Sequence, residues 1–179
     1  MQPPLHFLPE PLNKDTYHLF RRGIADDGDI EVRVNAQGDF AYLYPQPSVD
    51  YSSYVSRVKK LGLNSYKNNN KLLGERLAKI KPIMQGARSL MEIGAADASF
   101  LKCVRTEFPE IELFAVEPDQ NTRAKYDSLT WLTGFEDIHR AVQAGCRVDR
   151  VGLFHVFEHL HSPAEMLQAI QSVLSDQGS

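Results

Sequence analysis

Apolar positions along the second half of the chain fall into short continuous runs separated by helical stripes. Leu90, Met91 and Ile93 make one run of strand length, and residues 111–116 make another. Between them Phe100, Leu101, Val104 and Phe108 recur at helical spacing on one face. Residues 129–132 predict a short third strand, the segment Gly134-Phe135-Glu136-Asp137 the turn that follows, and residues 150–155 a fourth strand. Asp119 is placed to cap a helix through Tyr126. Ser162-Pro163-Ala164-Glu165 combines a capping box with proline at the first helical position, ahead of an apolar face of Met166, Leu167, Ile170, Val173 and Leu174. Strands alternating with helices imply an α/β fold, a Rossmann-like, mostly parallel sheet flanked by helices and joined by right-handed crossovers.

The first half has a different texture. Residues 1 to about 28 are rich in proline and polar groups and read as an irregular arm. Residues 30–34 and 40–44 alternate around Asn35-Ala36-Gln37-Gly38, which predicts a two-stranded β-hairpin. Helices are expected over 51–61 and 66–80, with Leu72, Leu73, Leu77 and Ile80 as the apolar stripe of the second. The expected organisation is an arm and hairpin over 1–50, a helical cap over 51–84 and the α/β domain over 85–179.

Chemistry concentrates in the turn after the first parallel strand. Gly94-Ala95-Ala96 has little side-chain bulk, and Glu117 ends the next strand roughly twenty residues on, where nucleoside-binding α/β folds place a ribose-binding carboxylate. A diphosphate would need several glycines for backbone approach to a helix N-terminus. Here Gly94 stands alone, and Glu92 and Asp97 flank the turn with negative charge that repels a diphosphate. A ligand carrying an ammonium and a sulfonium suits those charges, and S-adenosylmethionine is such a ligand.

Composition narrows the rest. A chain of 179 residues with 42% hydrophobic content buries one substantial core. A net charge of −3 argues against a general nucleic-acid binder. No apolar run approaches a membrane span and the N-terminus lacks a signal-peptide pattern, so a cytoplasmic location is the expectation. Cys103 and Cys146 are too few for a disulfide framework or a cysteine zinc site. Basic residues gather at Arg57, Lys59, Lys60, Lys67, Lys71, Arg76, Lys79 and Lys81, against Glu75 alone. That run is either the solvated face of two helices or a surface for an anionic acceptor.

From about residue 85 the chain resembles the N-terminal half of a class I, seven-stranded S-adenosylmethionine-dependent methyltransferase. MEIGAADASFL is similar to the first motif, FAVEPD to the second, LTGFEDI to the third, and VGLFHVFEHLHSPAEML to the segment across the fourth strand. The H-V-x-E-H-L run within the last resembles the branch acting mainly on small molecules. The resemblance implies that Glu92, Gly94, Ala95 and Ala96 border the methionine portion and that Glu117 grips the ribose. It also implies that Pro118, Asp119, Phe135 and Glu136 lie near the adenine, and that His155 stands near the sulfonium. Methyl transfer to a small-molecule acceptor would follow, with His155 as the base where the acceptor must lose a proton.

Two departures from the pattern carry expectations of their own. Ala96 and Ala98 replace glycines of a G-x-G-x-G turn, which matters if the backbone there needs positive φ, more at Ala98 than at Ala96. The pattern also stops after the fourth strand, so the domain reads as truncated there. The expectation is then either a shortened enzyme or a non-catalytic nucleoside-binding module, with an exposed sheet edge open to self-association. His155-Val156-Phe157-Glu158-His159 also matches the H-x-x-E-H pattern of a zinc peptidase group, although that chemistry needs both histidines on one long helix.

Overall fold

The computed structural model describes residues 18–24, 27–45, 52, 60, 70–176 and 178. The proline-rich start and nearly all of the helix expected over 51–61 lie outside them. The chain divides into two compact units, one of Met1–Val49 with His159–Gln168 and one of Asp50–Glu158 with Ala169–Ser179.

The first unit carries an antiparallel sheet in the order β1 (His18–Ile24), β2 (Asp27–Val34), β3 (Ala41–Tyr44). Its β2–β3 hairpin is the expected one, with Val34 opposite Ala41 and Glu31 opposite Tyr44. Asn35 closes the turn: its side-chain oxygen accepts from the amides of Asp39 and Phe40, each at 3.2 Å. Gly38 there takes φ +75°, which glycine adopts without strain. β1 corrects the sequence reading, which expected an irregular arm. Adjacent Leu19 and Phe20 are both exposed, and the β1–β2 register shifts between Leu19 and Arg21 and again between Arg22 and Ile24. A strand so interrupted shows no alternation of apolar and polar positions.

The second unit is built on a parallel sheet in the order β6-β5-β4-β7, formed by β4 (Ser89–Ile93), β5 (Glu112–Val116), β6 (Leu132–Phe135) and β7 (Arg150–Leu153). Every residue of β4 is buried, because it is paired on both sides and covered on both faces. The unit's helices are α1 (Asn70–Ile80), α2 (Ser99–Glu107), α3 (Gln120–Arg123) and α4 (Ile138–Gln143), while α5 (Pro163–Val173) has its first six residues in the first unit and the rest in the second. Phe100, Leu101 and Val104 bury the expected face of α2 against Leu113 and Ala115 of β5 and Leu73 and Ile80 of α1. Trp131, half-buried just before β6, packs on the same core.

Two boundaries move. Leu129 closes a short 3-10 turn over Ala124–Ser128, its amide donating to the Tyr126 carbonyl at 2.7 Å. The third parallel strand therefore begins at Leu132, opposite Leu113, and takes in Gly134 and Phe135, which the sequence pattern assigns to a turn. β7 ends at Leu153, so Phe154 and His155 lie beyond it.

At the amino end of the sheet Asp149 ties three segments together. Its Oδ2 accepts from the Arg88 amide at 2.8 Å, its Oδ1 from the Ser175 hydroxyl at 2.7 Å, and its own amide donates to Ser89 Oγ at 2.9 Å. The Val148 amide donates to the Val173 carbonyl at 2.8 Å, and Ser175 returns a bond to the Val148 carbonyl at 2.9 Å. The donors from Arg88 and Ser175 hold the Asp149 carboxyl below its ordinary range, assisted by the charges of Arg88 and Arg150 and opposed by burial.

Candidate functional site

The carboxyl ends of β4, β5 and β6 open onto the turn that follows β4. Three of its residues hold positive φ: Gly94 at 75°, Ala96 at 51° and Ala98 at 58°. For alanine this region costs about 1–2 kcal/mol per residue, so the turn is strained at two positions where glycine would not be. Both replacements anticipated from the sequence thus fall where positive φ is required, at Ala96 as much as at Ala98. Gly94 is needed for space as well. A Cβ built on it would stand 2.4 Å from Val156 Cγ2, far inside contact distance.

What holds the strained turn is a pair of side chains from the neighbouring strand and the turn beyond it. Glu117, 3% exposed, accepts the Ala96 amide on Oε2 at 2.7 Å and the Asp119 amide on Oε1 at 2.9 Å. The Tyr126 hydroxyl donates to the Ala96 carbonyl. Burial pushes the Tyr126 phenol well above its ordinary range, and the charges of Glu117, Glu92 and Asp97 push it further, against Arg123. Asp97 lies in the turn itself, next to Ala96, and Glu92 in the strand that leads into it. Gly134 leaves room for the tyrosine, since a Cβ there would lie 2.8 Å from Tyr126 Cδ2.

Arg123 fastens the rim. Its Nη1 donates to the carbonyls of Glu117 at 2.6 Å and Pro118 at 3.2 Å, and its Nη2 lies 4.0 Å from Glu136 Oε2. Asp119, fully buried, caps α3 by accepting the Thr122 amide at 2.9 Å, as its sequence position predicts. The Phe135 carbonyl accepts the Glu117 amide at 3.0 Å, and its ring stacks on Phe114 at 6.5 Å.

On the other side of β4, His155 adopts φ 55° and places Nδ1 3.5 Å from Glu158 Oε1, both side chains largely exposed. Phe154 beside it packs edge-on against Phe100 at 4.9 Å, and the Arg76 guanidinium lies 5.0 Å above the Phe154 ring. The zinc-peptidase alternative does not survive this geometry. Phe157–His159 is a single 3-10 turn and His155 precedes it in left-handed backbone, so the two histidines share no helical face. Among the described residues no group of three or more His, Cys, Asp or Glu could hold a metal ion.

Glu92, Gly94, Ala95, Ala96, Glu117, Pro118, Asp119 and Phe135 thus gather at the ends of three adjoining strands. Glu136 stands at the rim, and His155 beyond β7. Sequence reasoning missed Tyr126 and Arg123. Tyr126 entered it only as a helix end, and nothing in the local pattern tells that the ring turns back toward a residue thirty positions earlier.

The model of the methyltransferase domain family matches residues 65–179. The chain belongs to this methyltransferase family. No curated protein sequence matches it. Among solved structures, this methyltransferase-family chain is similar to the plantazolicin methyltransferase BpumL in complex with a pentazolic desmethylPZN analog and SAH. That match has 17% identity and a TM-score of 0.57, covering 70% of this chain and 53% of that one. It is also similar to coclaurine N-methyltransferase bound to N-methylheliamine and SAH, with 16% identity and a TM-score of 0.51, covering 64% of this chain and 36% of that one. The chain spans about half the length of the first of these. At such identities the likeness speaks for the fold, a Rossmann-like parallel sheet flanked by helices.

Proposed function

We propose that the chain binds S-adenosylmethionine at the carboxyl ends of β4, β5 and β6 and takes part in methyl transfer to a small-molecule acceptor. The observation that carries this reading is the left-handed turn at Ala96, whose amide the Glu117 carboxylate holds, with Asp97 next in the turn and buried Glu92 in the strand that leads into it. Such a site repels a diphosphate and attracts a cationic ligand. Family membership supports the same reading.

In it, Glu92, Gly94, Ala95 and Ala96 border the methionine portion, and Glu117 serves the ribose. A carboxylate offers about four lone-pair sites, so its amide bonds to Ala96 and Asp119 orient it and leave capacity for hydroxyl donors. Pro118, Asp119, Phe135 and Glu136 border the adenine. The bound cofactor supplies an electrophilic methyl on sulfur. His155 accepts a proton where the acceptor must lose one, with Glu158 as its ion-pair partner. Arg76, beside Phe154, supports an anionic acceptor; of the basic run, Lys81 is instead paired with Glu107 at 2.6 Å. The organisation into an arm with hairpin, a cap and a cofactor domain is part of the proposal, with the domain starting upstream of residue 85, because the family match starts at 65. No helix among the described residues is long and apolar enough to cross a membrane, and a cytoplasmic setting is proposed with the rest.

Calorimetry tests the reading. S-adenosylhomocysteine is expected to bind more tightly than NAD, and Glu117→Ala to lose roughly ten- to a hundred-fold in affinity, the worth of charge-assisted hydrogen bonds of about 1.5–3 kcal/mol. Unchanged affinity in Glu117→Ala, or tighter NAD, refutes it. Binding without turnover on any acceptor leaves a nucleoside-binding module. We also propose self-association through β7, which pairs with β4 alone among the described strands; sedimentation showing a monomer at all concentrations removes that part.

A further inference from the structure

We infer that Tyr126 is a positioning residue for the cofactor site: together with Glu117 it clamps the two peptide groups that flank Ala96 and so holds an alanine turn in the shape a ligand must meet. This rests on the proposed S-adenosylmethionine reading of the same site.

The geometry is specific. The Ala96 amide donates to Glu117 and the Ala96 carbonyl accepts from Tyr126, so both backbone polar groups of one residue are held by side chains from beyond β4. That residue has φ 51° and carries a methyl, a combination that persists only where the surroundings over-determine it. Space for the clamp is built in at Gly134, where any side chain would collide with the Tyr126 ring. Tyr126 lies in the 3-10 turn that follows α3 directly, and α3 is capped by Asp119, whose amide is held by the second oxygen of Glu117. The turn after β4 and the segment after β5 are therefore locked to each other at two points, one through Glu117 and one through Tyr126. A nucleoside bound across both segments meets a preset spacing, and the ordering cost is met before it arrives.

The phenol is suited to this work. Buried among carboxylates, it stays protonated at all working pH values and remains a donor to the Ala96 carbonyl. Phenylalanine keeps the ring and removes only that donor.

The test measures S-adenosylhomocysteine affinity by calorimetry in the full chain and three variants: Tyr126→Phe, Ala96→Gly, and the two combined. Tyr126→Phe is expected to weaken binding five- to thirty-fold. In the combined variant, glycine takes positive φ without help, and affinity is expected to return to within about threefold of the wild type. Amide exchange at Ala96 gives a readout that needs no ligand; it should quicken in Tyr126→Phe beyond any change in global stability. Wild-type affinity in Tyr126→Phe, even with a lowered melting temperature, overturns the positioning role. So does a combined variant that binds no better than Tyr126→Phe. A wild-type chain that fails to bind S-adenosylhomocysteine overturns the nucleoside reading itself and the positioning role with it, an outcome distinct from binding that is indifferent to Tyr126.

Discussion

Gly94 shows how much one missing methyl matters at this site. Two requirements meet there, positive φ and the closeness of Val156. Gly94→Ala is expected to cost about 1–2 kcal/mol for the backbone and roughly 1–3 kcal/mol for overpacking, read as a lowered denaturation midpoint. Adding Val156→Ala should return the steric part, so that the double variant is more stable than the sum of the single effects. Strict additivity would show that Val156 does not press on this position. The residue scale also marks the limit of sequence reading. Gly94, Glu117 and Asp119 were legible because their types are required by turn, strand end and cap. Tyr126 acts across thirty residues, and Arg123 donates mainly to nearby carbonyls, which any residue type supplies and which leave no trace in sequence.

Among elements, the four parallel strands of the second unit were read in the right order because their apolar runs are clean, whereas α4, only six residues long, went unread; the cap at Asp119 and the helix start at Pro163 were visible from residue type. Boundaries failed where a 3-10 turn borrowed strand-like residues, as at Leu129, and β1 failed because its register is broken. The link from β4 to the segment after α5 is the Asp149 cluster, and it carries a pH dependence. A carboxyl held below its ordinary range in the folded chain stabilises fully above the unfolded pKa of about 3.9 and loses that contribution as pH falls through the lower folded value. Asp149→Asn should cost roughly 1.5–3 kcal/mol near neutrality and flatten the acid limb of melting temperature against pH. An acid limb as steep as that of the wild type would place the protonation elsewhere.

At the scale of the molecule, the order β6-β5-β4-β7 sets β4 between two partners and buries every residue of it, whereas its apolar run in the sequence marks a strand without marking its place in the sheet. The candidate site was legible as a place, the carboxyl ends of the strands, sooner than as a set of contacts. Strands are marked by local apolar runs, whereas contacts depend on how distant side chains turn toward one another.

Trp131 gives that layout a practical edge. It is the single tryptophan of the chain and stands before the amino end of β6, about 13 Å of strand away from the carboxyl ends where the turn lies. Its emission will follow loss of the core it packs on, and a molecule arriving at the far end of the sheet will leave the spectrum nearly untouched. Tryptophan emission is thus expected to report unfolding in this chain and to be blind to binding at the proposed site, so its spectrum should stay as it was when a nucleoside is added.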